Sequence, residues 1–270
     1  MRKRIRKAIR KLKSGRPGRA LHALVTPHHS ETRIESARAR VAAHLTHVHG
    51  GRVAHGPFRG MVLPETTSWG RHDVSGKILG TYEQHVVDLL EAWRSEDGLL
   101  IDLGAADGYF AVGALRAGFF GRALCFEMSE KGRRALAAAA EINGVRERVR
   151  IEGEATEAAL LAAVPEGARG TVLCDIEGAE FSLLTETVLE RLSGMSIIVE
   201  LHDFLFEGGR EALGSRAAAW FDLAIVRAGP VDPGAFTELD GFDDDHRLLA
   251  FSEGREVMTE WMVLTPKGRA

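Results

Sequence analysis

A chain of 270 residues, 45 % of them apolar, with a formal charge of −3, is long enough to bury a sizeable core and unlike a fibrous or disordered protein. No apolar run nears the roughly 18 residues that cross a bilayer, and the charged start has no signal-peptide core, so the expected location is the cytoplasm. The two cysteines, Cys125 and Cys174, lie in apolar runs without metal or redox spacing and are expected as buried thiols.

Residues 1–19 hold ten Lys and Arg and no acid, which leaves a charge of −13 on the rest. Within this tail Ile5, Ala8, Ile9 and Leu12 fall at i, i+3, i+4 and i+7, an apolar stripe on a strongly cationic helix. Such a helix can rest peripherally on an anionic inner membrane surface. A nucleic-acid contact competes, although the aromatic residues that would stack on bases are missing, and a solvated, frayed terminus is the third reading. Ser14-Gly15-Arg16-Pro17-Gly18 ends the tail as a short hinge.

Residues 20–97 read as a lead segment or lid. A helix is expected from Glu31 to Leu45, an irregular stretch over Gly50, Gly51, Gly56, Pro57, Gly60 and Pro64, and a helix from Tyr82 to Trp93. Seven of the eleven histidines precede position 56, among them His44, His47 and His49. Without cysteine or carboxylate at ligand spacing beside them, they are expected as solvent-facing or partly packed imidazoles.

From residue 98 to 270 short apolar runs alternate with longer helical ones, the pattern of a mostly parallel sheet covered on both faces. Seven strands are expected: Leu99–Leu103, Ala123–Glu127, Val149–Glu152, Thr171–Asp175, Ser196–Leu201, Leu223–Ala228 and Trp261–Thr265. Helices are expected at Tyr109–Ala117, Glu130–Asn143, Glu157–Ala163 and Phe181–Leu192, with a weaker one near Arg210–Trp220.

The first strand ends in Asp102-Leu103-Gly104-Ala105-Ala106-Asp107-Gly108, an Asp-x-Gly-x-x-x-Gly turn that brings backbone close to a ligand. A dinucleotide site needs G-x-G-x-x-G, and here position 106 is alanine while Asp102 and Asp107 would repel phosphate. A cationic, phosphate-free nucleoside such as S-adenosyl-L-methionine suits those charges. Ligands of open parallel sheets sit beyond the strands' carboxyl ends. There Asp102 would position the ligand, Glu127, followed by Met128, would bind the ribose diol, and Glu154 would receive the adenine amino group. Asp175 and His202 end the next two strands, facing the reacting group. Taken singly, Glu127, Glu154, Asp175 and Glu180 could instead be helix-capping acids.

These residues resemble the FkbM-type branch of class I S-adenosylmethionine-dependent methyltransferases. Ile101-Asp102-Leu103-Gly104-Ala105-Ala106-Asp107-Gly108 is similar to that class's first motif. Asp175-Ile176-Glu177-Gly178-Ala179-Glu180 is similar to the branch's Asp-Val-Glu-Gly-x-Glu signature, and Ile198-Val199-Glu200-Leu201-His202 to its fifth-strand motif. The resemblance spans roughly residues 98 to 203. It implies an α/β fold: a Rossmann-like seven-stranded sheet ordered 3-2-1-4-5-7-6, helices on both faces, preceded by the N-terminal helical and irregular extension. It also implies O-methylation of a hydroxyl on a small molecule or sugar. Cofactor contacts are then expected at Asp102, Gly104, Ala105, Asp107, Gly108, Glu127, Met128, Glu154 and Asp175. His202 is the first candidate base and Asp175 the second. No metal is assigned, although Asp175, Glu177 and Asp203 could gather a divalent cation. An NAD-dependent oxidoreductase, or an inactive membrane-surface or scaffold protein of the same fold, are the alternatives. A nucleic-acid acceptor is disfavoured, because residue 175 is followed by Ile-Glu-Gly and not by the Asn-Pro-Pro-Tyr type of loop.

Overall fold

The structure, a computed structural model, describes residues 17–64, 72–255 and 257–268, with side chains from residue 33 onward. The expected tail helix and the first three hinge residues lie outside the described residues. No described helix is long and apolar enough to cross a membrane.

Helix α1 spans Pro17–His49, longer at both ends than the expected Glu31–Leu45. Pro17 and Gly18, expected as hinge residues, lie in this helix. The glycine-rich stretch after it is irregular, closed by a bridge between Arg52 and Val62. Two short helices come next, α2 (Val74–Leu79) and α3 (Gln84–Ala92).

The sheet then forms from β1 (Ser95–Leu103), β2 (Phe120–Phe126), β3 (Val149–Glu152), β4 (Gly170–Cys174), β5 (Met195–Leu201), β6 (Phe221–Val226) and β7 (Glu260–Pro266). Its order is β3-β2-β1-β4-β5-β7-β6, with β7 antiparallel to both neighbours and the pairs among β1 to β5 parallel. This is the seven-stranded α/β order implied by the resemblance. The chain winds outward from β1 to β3, returns to β4 and winds the other way, so a crevice opens between the ends of β1 and β4.

Strand residues alternate faces, and the core divides accordingly. Leu100 packs with α3, with α4 (Tyr109–Arg116) and with α5 (Glu130–Ile142). Ile101 and Leu103 pack on the other face with α6 (Glu157–Ala163), α8 (Glu186–Arg191) and α9 (Gly209–Ala217). The lead joins the first face through Phe58, whose ring fills a notch at Gly113: a Cβ there would stand 2.5 Å from it. Burying a ring of this kind is worth about 1.5–3 kcal/mol. A third cluster joins Val41 and Leu45 of α1 to Ile78, Leu79, Leu239 and Ala250, so the lead also packs on the excursion between β6 and β7.

The expected helix over 181–192 is two, α7 (Glu180–Leu183) and α8, because Thr185 caps a new start by accepting the Val188 N–H at 3.2 Å. Short α10 (Asp244–Leu249) was not expected. Cys125 and Cys174 are buried free thiols on β2 and β4.

Candidate active site

Gly104 begins the turn after β1 at φ 91°, and a Cβ on it would stand 1.8 Å from the Asp175 carbonyl oxygen. Only glycine lets the β1 and β4 ends approach this closely. Ala106 is also left-handed, at φ 48°, and in that pose its N–H donates to Glu127 Oε2 at 3.0 Å. The other carboxylate oxygen of Glu127 accepts the Ser129 N–H at 2.7 Å. Glu127 is thereby held by two backbone donors, buried, at the carboxyl end of β2. Gly132 leaves room for it, since a Cβ there would lie 2.7 Å from the Glu127 side chain. Helix α5 itself is capped by Ser129 and α6 by Thr156, so neither Glu127 nor Glu154 serves as the helix cap.

A cavity of about 640 Å³ opens over this turn. Of the expected residues, Gly104, Asp107, Glu127, Met128, Glu154, Asp175 and His202 line it. Asp102, Ala105 and Gly108 do not line it. Asp102 shares the Leu100 face of β1, so its carboxyl points under α4 and accepts the Ala111 N–H. Burial there pushes its pKa up to about 7, with Glu127 and Asp107 adding to the rise. Ala105 is buried in the core beneath the turn, and Gly108 faces Leu136 of α5, 2.4 Å from where a Cβ would stand.

The lead supplies part of the wall, through Lys77, a residue the sequence reading did not single out. Lys77 on α2 is buried, with Nζ 2.6 Å from Asp73 and 3.1 Å from Asp107, and it lies over the rings of Tyr82 and Tyr109. Burial alone would lower the pKa of this amine; Asp107 and Asp73 outweigh it and raise the pKa. Asp107 is therefore committed to an ion pair inside the site. One lysine in Gly-Lys-Ile-Leu carries no sequence signal for this.

The opposite wall comes from β4, β5 and the loop before β7. His202 is buried, and both its backbone N–H (3.1 Å) and Nδ1 (3.0 Å) donate to Oε1 of fully buried Glu180, whose other oxygen accepts the Gly178 N–H at 2.8 Å. Glu180 thus orients an imidazole and is not a helix cap. The Nε2 of His202 faces Glu177 at 3.5 Å, Asp175 at 3.9 Å and Glu200 at 4.0 Å. Burial opposes the imidazolium, but Glu180, Glu200 and Glu177 prevail and raise the pKa of His202. Asp175 and Glu200 share a hydrogen bond. The Asp175 carboxyl is pushed well above the usual range by lost solvent and by Glu200 and Glu83. Glu200 moves the other way: burial opposes it, and Arg255 and Asp175 hold it low.

Arg255, unforeseen from sequence, bonds to Glu83 ahead of α3, to Glu200 on β5, and to Glu253 at 2.5 Å. Among the described residues, the lysine and arginine of the cavity wall, Lys77 and Arg255, are thus engaged with carboxylates, and the surplus charge there is negative. Asp203, expected beside Asp175 and Glu177, is instead bonded to Arg210 at 2.9 Å. The residues that could hold a divalent cation are Asp175, Glu200 and His202, whose ligand atoms lie within 4.8 Å of one another.

No family model and no curated protein matches the chain. Among solved structures it is similar to an rRNA methylase from Streptococcus thermophilus, at 13% identity over 68% of this chain and 95% of that one, TM-score 0.44. It is similar also to precorrin-6y C5,15-methyltransferase from Geobacter metallireducens GS-15, at 13% identity over 68% and 89%, TM-score 0.47. A third is M. jannaschii TYW2 in complex with AdoMet, at 11% identity over 73% and 76%, TM-score 0.45. The likeness is one of chain path and says nothing of the acceptor.

Proposed function

We propose that the chain transfers a methyl group from S-adenosyl-L-methionine to a hydroxyl oxygen of a small molecule or sugar, as an enzyme of the FkbM-type branch. Residues 98–270 are then the cofactor-binding unit, and residues 20–97 a lead that walls its cofactor side. The observation that carries this reading is Glu127: a buried carboxylate at the end of the strand beside the glycine turn, fixed by two backbone N–H groups and lining the cavity. A carboxylate held in this way still has lone pairs for a ribose diol.

The donor set fits the cofactor. A cavity of about 640 Å³ suits a nucleoside-sized ligand. Its acids suit a sulfonium and an amino group, and its cations among the described residues, Lys77 and Arg255, are engaged with carboxylates and not turned to a pyrophosphate. When bound, S-adenosyl-L-methionine supplies an activated methyl group on a cationic sulfur. Gly104, Asp107, Glu127, Met128 and Glu154 would hold it. Exposed Met128 offers an apolar face beside Glu127, and Lys77 keeps Asp107 in place. Asp175 and His202, across the cavity, are the groups that activate the acceptor hydroxyl, with Glu180 fixing the ring so that Nε2 faces inward. Alignment of the two reactants supplies much of the rate in such a displacement.

The three acids of the signature each have a place that supports the branch: Asp175 and Glu177 near Nε2, Glu180 beneath Nδ1. Phe204 and Val257 at the mouth suit an acceptor with an apolar part, while Glu154, Glu177 and Glu253 disfavour a polyanionic one. Calorimetry with S-adenosylhomocysteine tests the reading. Micromolar or tighter binding is expected, weakened at least tenfold in Glu127→Ala; no heat of binding to folded protein removes the reading.

A further inference from the structure

We propose that Asp175, Glu200 and His202 form a binding site for one divalent cation, through which the acceptor hydroxyl is activated. The inference rests on the methyl-transfer reading and gives its Asp175 and His202 a specific task.

Three observations converge. First, the ligand atoms surround a point without bonding to His202: Nε2 stands 3.9 Å from Asp175 Oδ1 and 4.0 Å from Glu200 Oε2. Neighbouring ligands about 2.1 Å from a small cation lie about 3 Å apart, so a modest inward movement of these atoms completes the set. Second, Asp175 Oδ1 is unsatisfied, and His202 Nε2 is not held by a short contact. The His202 side chain is 5 % exposed, and its Nε2 meets nothing closer than the Glu177 carboxylate at 3.5 Å. Asp175 Oδ1 is buried without a hydrogen-bond partner. Third, the imidazole is supported as metal-bound histidines are. Nδ1 donates to fully buried Glu180, which fixes the ring and leaves the Nε2 lone pair for a ligand. Arg255 holds Oε1 of Glu200 and leaves Oε2, 4.0 Å from Nε2; a cation that joins the set replaces the hydrogen bond Glu200 shares with Asp175.

One imidazole with two carboxylates suits Mn²⁺ or a cation of similar hardness. An acceptor hydroxyl that joins this set loses its O–H proton more readily, because the cation stabilises the oxygen anion. The O–H bond breaks and the proton passes to the Glu177 carboxylate; the oxygen's electron pair forms the O–C bond to the methyl carbon while the S–C bond breaks and its pair returns to sulfur, leaving S-adenosylhomocysteine. Glu177 is 64 % exposed and can release the proton to solvent.

The test is a Mn²⁺ titration of the full chain followed by electron paramagnetic resonance, with S-adenosylhomocysteine binding measured on the same samples. One Mn²⁺ per chain is expected. Asp175→Asn and His202→Ala should each weaken it at least tenfold, and Glu180→Gln by about 10–100-fold. Uptake that is absent, or unchanged in Asp175→Asn, overturns the site. Protein that binds S-adenosylhomocysteine but no Mn²⁺ keeps the methyl-transfer reading and loses the cation. Uptake of Mn²⁺ without S-adenosylhomocysteine binding overturns the methyl-transfer reading and, with it, the activation of an acceptor hydroxyl by the cation.

Discussion

Asp102 belongs to the glycine-turn motif, yet it does not line the cavity. Its place on β1 directs it under α4, where burial raises its pKa to about 7. In the unfolded chain the same carboxyl ionises near 3.9. Between these values the folded chain holds a proton that the unfolded chain has lost. Stability contributed at this position is therefore full below about pH 4 and lost as pH rises toward 7. Asp102→Asn keeps an oxygen to accept the Ala111 N–H and removes the ionisation. Urea unfolding at pH 5 and pH 8 should show a smaller loss with pH in the variant, by on the order of a few kcal/mol. Equal pH dependence in both proteins would contradict the assignment. The face of Asp102 was readable in principle, since strand alternation pairs it with Leu100; the motif's resemblance to a ligand contact hid it.

Helix α2 is the element that sequence reading missed and the site depends on. Six residues with a glycine at the third position hold no helical period to detect, and the value of Lys77 lies in contacts with Asp73 and, 30 residues on, Asp107. Lys77→Met should leave two partly or fully buried carboxylates without a cation and destabilise the fold by about 3–5 kcal/mol. Adding Asp107→Asn should recover part of the loss. Denaturant unfolding checks both, and a change under about 1 kcal/mol in the single variant would mean that solvent already satisfies the pair. The strands were legible because each is a short apolar run bounded by turn residues, and β3 has the expected ends. The 181–192 helix was not, because its break depends on one threonine side chain accepting a backbone N–H.

Across the whole molecule, the cavity wall is assembled from segments far apart in the chain. The lead brings Lys77 and Glu83, the sheet brings Glu127, Asp175, Glu200 and His202, and the loop before β7 brings Arg255. Strand ends were legible as a set because their order along the chain maps directly onto neighbouring positions at one sheet edge. Arg255 was not: two of its partners, Glu200 and Glu83, lie 55 and 172 residues away, and only the closed fold brings them to it. The same closure appears at Glu238, which receives His55 at 2.6 Å and lies 3.3 Å from His49, joining the end of α1 to the excursion between β6 and β7. Those histidines are half-buried or exposed packing groups, as their surroundings in the sequence suggested. On the methyl-transfer proposal, the crevice at the β1–β4 reversal holds a nucleoside with a cationic methyl donor. A crystal structure with S-adenosylhomocysteine tests it most directly. The account predicts adenosine lying between Gly104, Glu127 and Glu154 with the sulfur toward Asp175 and His202; a nucleoside seated anywhere else on the molecule would contradict it.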